Sequence, residues 1–448
     1  MRKVIFIDSL NKRFEMPIDK FVEIFNKLYI SNKNDIVFNL ASKENLKITP
    51  LIHPKELGKI IIFEAAQRFD YAPAHNIFSL MWAKNFYELG YSVYLIDMAN
   101  KRISDFQNIL TTINPDFIFD AHNWVANQEE FIKRGVIPRV DFFKIGCPIV
   151  VLIGELPLWK DGSLTSLKTL EVMRAYNELF IILCHEKQWC SFFKNFGIKN
   201  VYFLPHYAPA EFSYPTENMP KSYPISFVGN FHKPVCHLPK ELTEIVNKHL
   251  ILKKQDFGYN FIHQLMREVF TVWPSQGWEK LEIICNQIGA NFENMRYFIL
   301  KEIINHHRLI LFGTCVPKEF KEHPNVKYRG PAHWLLLPII FGMTAINLNI
   351  HRIVFDTSTQ ERSFMFIFSK AFFLTDYKEI FKDLFPTCYK EFTFKTVDEL
   401  LKKIDYYLHH EDERKAISEE LYKTAIESHT LKHRAKTVLE LLGKKYSE

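Results

Sequence analysis

Glycine is scarce in this chain, with 15 among 448 residues. Loops that hold phosphate groups often rely on glycine, because a residue without a Cβ lets a ligand approach the backbone closely. Any phosphate-binding loop in this protein must therefore be built with few glycines. The remaining composition, with 47% hydrophobic and 24% charged residues, is that of a folded globular protein. The length suits two domains of roughly 200 residues each.

Several site-forming motifs are also missing. The seven cysteines are widely spaced and include no C-x-x-C pair, which argues against a disulfide framework and a zinc site. We expect most of them to be buried, reduced thiols. No D-x-D motif occurs, which argues against a metal ion that bridges a diphosphate. The sequence therefore predicts neither a bound metal nor a cofactor.

Long apolar runs are absent as well. The best candidate, Trp334 to Ile350, contains Pro338, Gly342 and two asparagines, so it does not reach the length that spans a bilayer. The apolar run near Met1 is interrupted at Asp8 and is too short for the core of a signal peptide. These observations predict a cytoplasmic protein.

The net charge is small and positive, at +6. A charge of this size is compatible with phosphate ligands and with peripheral association with a membrane surface. No run of lysine and arginine is interleaved with aromatic residues in the manner of a nucleic-acid interface, so we expect no nucleic-acid partner. The charge leaves the oligomeric state open.

Short apolar runs recur along the chain and alternate with helical patterns. Continuous apolar runs are typical of parallel strands that are buried on both faces. In the first half the predicted strands are Lys59–Phe63, Ser92–Asp97, Asp116–Ala121, Ile149–Gly154, Leu179–Cys184 and Val201–Leu204. In the second half they are Ile225–Val228, Leu309–Phe312, Val326–Tyr328, Ala345–Asn349 and Phe372–Thr375. Helical spacing over Ile77–Leu89, ended by Gly90, predicts a helix between the first two strands.

This pattern predicts an α/β fold with two doubly wound, Rossmann-like domains that face a cleft. A proline-rich linker, Pro209 to Pro224, separates the two series of strands. We predict an N-terminal extension over residues 1–58, with elements at Val4–Ile7, Ile18–Leu28 and Ile36–Phe38. The domains then cover residues 59–222 and 223–425, and a final helix in residues 426–448 is expected to pack back on the first domain. Residues 238–307 are predicted to be mostly helical.

Six segments of the second half, taken in order, resemble one known family. They are Ile225–Asn230, Leu311–Gly313, Ala345–Arg352, Glu361–Phe364 followed by Phe372–Tyr377, Tyr406–Arg414 and His429–Ala435. Together they resemble the CgeB-type, or spore-maturation-like, glycosyltransferases of the GT-B clan over about residues 225–436. The resemblance implies a GT-B-like fold and a site in the second domain for a nucleotide-sugar donor.

The residues themselves agree with a donor site at the strand ends. Gly229 with Asn230, and Gly313 at a neighbouring strand, would bring backbone N–H groups close to a phosphate, although both glycines also suit ordinary turns. Beyond Asn349, the run Asp356–Gln360 includes Ser358 and Thr359 and predicts a helix N-terminus, with Thr357 and Gln360 at capping-box spacing. Such an end would hold a diphosphate. Arg352 and Arg362 would add charged contacts, the alternative for Arg362 being a surface ion pair.

The chain departs from the family at two positions. Met365 stands where the family usually has a glutamate that holds the ribose hydroxyls, and a thioether does not accept two such hydrogen bonds. Lys370 stands where a glycine is typical. The donor is then held differently, Glu361 serves from one turn earlier, or the protein has lost activity. Lys370 would supply a phosphate contact or lie in solvent.

Candidates for a catalytic base lie at strand ends in the first half, where polar residues would face the cleft. We expect the base to be His122, Glu155 or His75. Other polar or aromatic residues at these ends are Asp70, Trp124, Trp159, His185 and Glu186, and the tryptophans would stack on a sugar. For each polar residue the alternative is an ordinary loop hydrogen bond. The stereochemistry, inverting or retaining, stays open.

Three functions remain in view. The first is metal-independent transfer of a sugar from a nucleoside diphosphate sugar to a hydroxyl of a glycan, lipid-linked or protein acceptor. The second is a degenerate protein of the same fold that binds a sugar nucleotide or a partner without turnover. The third is a sugar-nucleotide epimerase of the same shape, which needs no acceptor.

Overall fold

A computed structural model describes most of the chain. The described residues are 3–7, 13–17, 48–64, 73–97, 106–120, 125–127 and 141–447, apart from 142–143, 145, 155, 157, 159–164, 209, 211–212, 232–237, 292–293 and 333–335. The first two strands, β1 (Lys3–Ile7) and β2 (Arg13–Pro17), pair antiparallel with each other. The predicted strand at Val4–Ile7 coincides with β1, whereas Ile18–Leu28 and Ile36–Phe38 lie outside the described residues.

In the part of the chain that the structure describes, the first large sheet has seven strands. They are β3 (Ile48–Leu51), β4 (Gly58–Glu64), β5 (Tyr91–Asp97), β6 (Phe117–Asp120), β7 (Ile149–Ile153), β8 (Phe180–Cys184) and β9 (Val201–Phe203). Their spatial order is β3-β5-β4-β6-β7-β8-β9, and only β3 runs antiparallel to its neighbour. β3 lies in the predicted N-terminal extension, yet it forms an edge of this sheet.

Both faces of this sheet are buried, which explains the continuous apolar runs. Along β4, Ile61 and Phe63 belong to one core cluster, whereas Ile60 and Ile62 belong to a second. Successive side chains of a strand point to opposite faces, so the two clusters lie on opposite sides of the sheet. The described helices of this half are α1 (Pro73–Glu88), α2 (Phe106–Ile113), α3 (Leu167–Ala175) and α4 (Lys187–Asn195).

Among the described residues, the second large sheet has six strands, and all of them are parallel. They are β10 (Tyr223–Val228), β11 (Leu309–Phe312), β12 (Val326–Tyr328), β13 (Thr344–Asn349), β14 (Phe373–Asp376) and β15 (Thr393–Phe394). Their spatial order is β12-β11-β10-β13-β14-β15. The order reverses between β10 and β13, and in sheets of this kind ligands bind in the crevice beyond the carboxyl ends of such strands.

Helices complete the second half. Four of them, α5 (Lys240–Gln255), α6 (Phe261–Val272), α7 (Gly277–Asn291) and α8 (Asn294–His306), form the helical insertion predicted for residues 238–307. The others are α9 (Lys318–Glu322), α10 (Leu337–Gly342), α11 (Glu361–Phe368), α12 (Glu379–Leu384), α13 (Tyr389–Phe392), α14 (Val397–His409), α15 (Glu411–Ser428) and α16 (Leu431–Leu441). No helix in the described part of the chain is both long and apolar enough to cross a membrane.

The last helix returns to the first domain. Leu431, Ala435 and Leu439 of α16 share a core cluster with Trp82 of α1. Beyond α16, the Tyr91 hydroxyl donates a hydrogen bond of 2.6 Å to the Lys445 carbonyl. The end of the chain therefore ties the two domains together through buried apolar surface.

The observed architecture confirms the predicted α/β class with two doubly wound, Rossmann-like sheets. Each of the eleven predicted core strands is present, with ends that differ from the prediction by at most two residues. The agreement has a physical cause, since strands buried on both faces must be apolar at nearly every position. Five of the six described cysteines are buried as expected, and Cys315 is exposed.

Candidate functional site

The carboxyl ends of four parallel strands meet at one edge of the second sheet. Val228 ends β10, Phe312 ends β11, Asn349 ends β13 and Asp376 ends β14. Apart from Asn349, the sequence-predicted donor residues lie in the segments that follow β10, β11 and β13. The parallel ladder places the ends of these strands side by side.

Two glycines let the loops after β10 and β11 touch. The Gly229 N–H donates to the Phe312 carbonyl at 2.9 Å. A Cβ on Gly313 would lie 1.9 Å from the Gly229 carbonyl oxygen, which no side chain allows. Asn230 strengthens the contact, since its Oδ1 accepts from the Thr314 N–H at 3.1 Å. The Gly313 N–H itself donates to the Gly330 carbonyl, so both glycine N–H groups are used inside the domain.

Two guanidinium groups reach this same edge. Arg362, at the start of α11, donates from Nη1 to the Val228 carbonyl at 2.6 Å. Arg296, at the start of α8, donates to the carbonyls of Asn230 at 2.9 Å and Ile350 at 3.2 Å. Arg296 thus bridges the ends of β10 and β13, at the point where the strand order reverses. Sequence analysis missed Arg296, because it lies inside a long helical stretch with no motif around it.

Asn349 is buried and its amide is fully engaged. Its Nδ2 donates to the hydroxyls of Ser363 at 2.8 Å and Thr375 at 3.2 Å, and its Oδ1 accepts from Gln360 at 3.0 Å. These bonds join the end of β13 to β14 and to α11, so Asn349 supports the loop around it. Arg352 is half-buried in the same loop.

The predicted helix N-terminus at Asp356–Gln360 is wrong. The helix α11 begins at Glu361, and neither Gln360 nor Thr357 forms the predicted capping box. Thr357 instead donates its hydroxyl to a carboxylate from the other domain, and this interaction replaces the local one. Residues 356–360 therefore form a loop before the helix, held by tertiary contacts.

That carboxylate belongs to Glu186, which follows β8 in the first domain. Its Oε2 accepts the backbone N–H groups of Asp356, Thr357 and Ser358 at 3.1, 3.0 and 2.9 Å. Its Oε1 accepts the Thr357 hydroxyl. Glu186 is almost completely buried, with 1% of its surface exposed. The contact thus crosses the interface between the domains at the loop where a diphosphate was expected.

A buried polar network at the end of β14 also holds the loop of residues 350–360 in place. The Asp376 carboxylate accepts the His351 backbone N–H at 2.8 Å and lies 2.8 Å from His351 Nδ1 and 3.0 Å from Lys378 Nζ. The other imidazole nitrogen, Nε2, lies 2.8 Å from the hydroxyl of Thr359. Lys378 also donates to the Phe355 carbonyl at 2.6 Å. The network therefore ties β14 to both ends of the loop.

The electrostatics of the network follow from burial. Burial alone would raise the pKa of Asp376, but Lys378 and His351 together hold it well below its usual range. Burial lowers the pKa of His351, although Asp376 opposes this shift. Burial and the neighbouring Asp356 raise the pKa of Glu186. Asp376 is therefore a firmly ionised anchor, whereas Glu186 has another carboxyl group close to it.

A histidine pair lies between the domains, next to Glu361. The rings of His185 and His206 stack with centroids 4.0 Å apart, and His206 Nε2 lies 3.6 Å from a Glu361 carboxylate oxygen. Burial lowers the pKa of His206 to about 4, so this imidazole is neutral at pH 7. His185 binds the Leu204 carbonyl through Nδ1 at 2.8 Å. Of the residues named from strand ends in the first half, His185 and Glu186 are thus the ones seen at the interface.

The side chains of the three base candidates lie outside the described part of the structure. His122 and Glu155 lie outside the described residues, as do Asp70, Trp124 and Trp159. His75 lies within α1 by its backbone, and its side chain is not described. Among the residues that the structure describes, no group of three His, Cys, Asp or Glu side chains has the arrangement of a metal site.

The two unusual family positions have different surroundings. Met365 is buried within α11. Lys370 has a left-handed backbone, with φ of 50°, which explains why a glycine is favoured at this position. Its ammonium group lies 2.7 Å from Glu419 and 3.6 Å from Glu217, beyond the carboxyl-terminal end of α11. Two carboxylates therefore hold the ammonium group of Lys370 at that end of the helix.

One family model matches part of the chain. Residues 296–440 match the model described as glycosyl transferase-like, which covers about a third of the sequence. The matched segment contains β11 to β15 and the loop of residues 350–360, and it includes Gly313, Arg352 and Arg362. The second domain thus carries a glycosyltransferase-like segment. No curated protein sequence matches this chain.

Solved structures with a similar fold are distant in sequence. Sucrose-phosphate synthase from Thermosynechococcus elongatus is 10% identical, with 86% of this chain and 98% of that chain covered and a TM-score of 0.49. Anabaena Alr3699/HepE, in complex with UDP and glucose, is 11% identical, with 86% and 99% covered and a TM-score of 0.48. The T4 phage β-glucosyltransferase is 12% identical, with 86% and 99% covered and a TM-score of 0.47.

The contact between the two glycine loops predicts the effect of Gly313→Ala. The added Cβ would collide with the Gly229 carbonyl, so the loops must separate, and we expect a loss of about 2 kcal/mol or more in the free energy of unfolding. Urea denaturation measures this loss. The matched control is Gly154→Ala, where the nearest atom to a new Cβ lies 3.4 Å away and little change is expected. Equal midpoints for the two variants would contradict the prediction.

The buried network predicts a pH-dependent effect of Asp376→Asn. The substitution leaves Lys378 buried without its carboxylate, so we expect a loss of about 3 kcal/mol at pH 7. Because the pKa of Asp376 is depressed, its stabilising effect is complete above the unfolded value of about 3.9 and is lost as pH falls below it.

The difference between Asp376→Asn and the unsubstituted protein should therefore be smaller at pH 3 than at pH 7, as measured by urea midpoints. Asp405→Asn is the control, since the Asp405 side chain is 71% exposed. A difference that is the same at both pH values would show that the lost charge is not the cause.

Proposed function

We propose that this protein is a glycosyltransferase. It transfers a sugar from a nucleoside diphosphate sugar to a hydroxyl of a glycan, lipid-linked or protein acceptor, without a metal ion. The observation that carries the proposal is the position of Arg362 beside the glycine contact at the carboxyl end of β10, within a domain whose residues 296–440 match a glycosyltransferase-like model. The resemblance to CgeB-type enzymes supports the same function.

The donor diphosphate is placed in this proposal beyond the ends of β10 and β13. Arg362 and Arg296 supply positive charge there, and guanidinium groups bind phosphate oxygens in pairs. The N–H groups of Gly229 and Gly313 donate to carbonyls of the same domain, so in this proposal they do not bind the phosphate as the sequence suggested. The two glycines allow two loops to lie in contact and keep side chains away from the strand ends. Arg352, Ser358 and Thr359 lie in the adjoining loop.

Catalysis in this proposal relies on fixed protein charges. Positive groups at the site stabilise the diphosphate as it leaves, which a bound metal ion would otherwise do. An inverting enzyme also needs a base that removes the proton of the acceptor hydroxyl. His122, Glu155 and His75 remain the proposed candidates for that base, in the first domain and on the acceptor side.

A second function is favoured by Met365. Its thioether is buried in α11, where the related enzymes usually have a glutamate for the ribose hydroxyls. Glu361, one turn earlier, lies near His206 instead, at 3.6 Å. A protein without a ribose-binding carboxylate would bind a sugar nucleotide or a partner without turnover. The two functions differ in whether the sugar is ever transferred or released.

The proposed function predicts that a nucleotide sugar stabilises the protein. The test is a set of UDP-, GDP- and dTDP-sugars read by thermal shift, followed by incubation with and without hydroxyl acceptors. Glycosyl transfer or slow hydrolysis of the bound donor is expected. Binding without either reaction favours the degenerate protein, and interconversion of the donor alone favours an epimerase. No thermal shift with any nucleotide sugar would contradict the glycosyltransferase, the epimerase and a degenerate protein that binds a sugar nucleotide.

The position of Arg362 predicts a loss of donor affinity in Arg362→Ala. Removing a charge-assisted pair of hydrogen bonds costs about 1.5–3 kcal/mol, which corresponds to a Kd raised roughly 10- to 100-fold. In the free protein the substitution removes the hydrogen bond to the Val228 carbonyl, a bond between groups of the same domain, and we expect its melting temperature to fall little. Isothermal titration with the donor measures the affinity.

Arg267→Ala is the matched control, because Arg267 is an exposed arginine on α6. An Arg362→Ala protein with unchanged affinity and a large loss of stability would show that Arg362 is a structural residue.

A further inference from the structure

The Glu186 side chain does not cap the helix that it precedes. It is the N-cap residue of α4, a position where a carboxylate normally accepts N–H groups from its own helix, yet it forms no such bond. Its side chain instead reaches the other domain and accepts three N–H groups and one hydroxyl there. The carboxylate therefore has a partner that local sequence does not provide.

The three N–H groups form a cradle of the kind that binds anions. They come from consecutive residues, 356 to 358, and all three point to one carboxylate oxygen at 2.9–3.1 Å. Consecutive N–H groups that converge in this way make an anion-binding concavity, and phosphate is a common ligand of such concavities. The Ser358 hydroxyl belongs to the same three residues, and it is buried without a hydrogen-bond partner among the described residues.

In the described part of the chain, the hydrogen bonds to the Glu186 carboxylate all come from uncharged groups. Burial and the buried Asp356 raise the pKa of Glu186, whereas the hydrogen bonds from Thr357 and Ser358 oppose this shift. Lys253 and Lys378 face Asp356 and offset its charge. The N–H groups of the cradle thus hold the Glu186 carboxylate although the Asp356 carboxyl group is close to it. Because the cradle contributes only uncharged donors, another oxyanion is able to take the place of Glu186.

We propose that the N–H groups of residues 356–358 are an oxyanion-binding site that Glu186 occupies in this structure, and that a phosphate group competes with Glu186 for it. Glu186 then acts as a latch between the domains, released when phosphate binds. The identification of that phosphate with the donor diphosphate rests on the proposed function, whereas the competition itself does not.

Two residues next to Glu186 also contact the second domain. Lys187 pairs with Asp383 of the second domain at 2.5 Å, and the Trp189 ring lies 6.1 Å from that of Phe355. These residues adjoin Glu186 and extend the same contact between the domains. Release of Glu186 from the cradle therefore loosens the interface beside the proposed donor site.

The experiment compares Glu186→Ala with Lys187→Ala. Glu186→Ala removes the carboxylate and opens the cradle, whereas Lys187→Ala weakens the same interface through an exposed ion pair and leaves the cradle occupied. Each protein is melted in sodium acetate, sodium phosphate and sodium chloride at equal ionic strength. We expect acetate and phosphate to raise the melting temperature of Glu186→Ala by on the order of 2 °C more than that of Lys187→Ala or the unsubstituted protein.

The response of the three proteins to phosphate and acetate separates the proposal from its alternatives. An equal response of all three proteins to phosphate would overturn the proposal, and so would a response of Glu186→Ala to acetate alone. Where Glu186→Ala does not fold, Glu186→Gln keeps the side-chain volume and removes the charge, and the same excess response to phosphate is expected. A phosphate response together with no response to any nucleotide sugar would support the cradle and contradict the proposed function.

Discussion

The ionised carboxylate of Asp376 is the group on which the site of the second domain depends. It receives the His351 backbone and ring and the ammonium of Lys378, all within 3.0 Å. A buried charge is tolerated only when it is paired and hydrogen-bonded, so this network has little freedom to rearrange. It fixes the start of the loop that follows β13 and, through Thr359, its end. The cradle that receives Glu186 lies between these two points.

Although glycine is scarce in this chain, two of its glycines lie where two loops come into close contact. A protein with many glycines would wrap a flexible loop around a phosphate, whereas this one places single glycines, Gly229 and Gly313, where two strand ends meet. Their N–H groups donate to backbone carbonyls of the same domain, and arginine side chains approach the same edge of the sheet. Under the proposed function, guanidinium groups and a loop without glycine, residues 350–360, therefore bind the phosphates in place of a glycine-rich backbone.

Periodicity predicted the core strands well and the site less well. A strand such as β4 is apolar at every position because both of its faces are buried, and that requirement is local. The capping box at Thr357 and Gln360 has the right local spacing, yet the Thr357 hydroxyl binds Glu186, which is 171 positions away in the chain. Arg296 has no local signal at all, since its partners are backbone carbonyls of two distant loops.

The sequence by itself determined the two α/β domains, the order of their strands along the chain and the segments that follow the strand ends. These follow from the alternation of apolar runs and helical patterns, which each segment carries within itself. Only the tertiary structure decided which of those segments touch. Glu186 pairs with the N–H groups of another domain, because the energy of a buried carboxylate is set by whatever donors surround it after folding, and not by its neighbours in the chain.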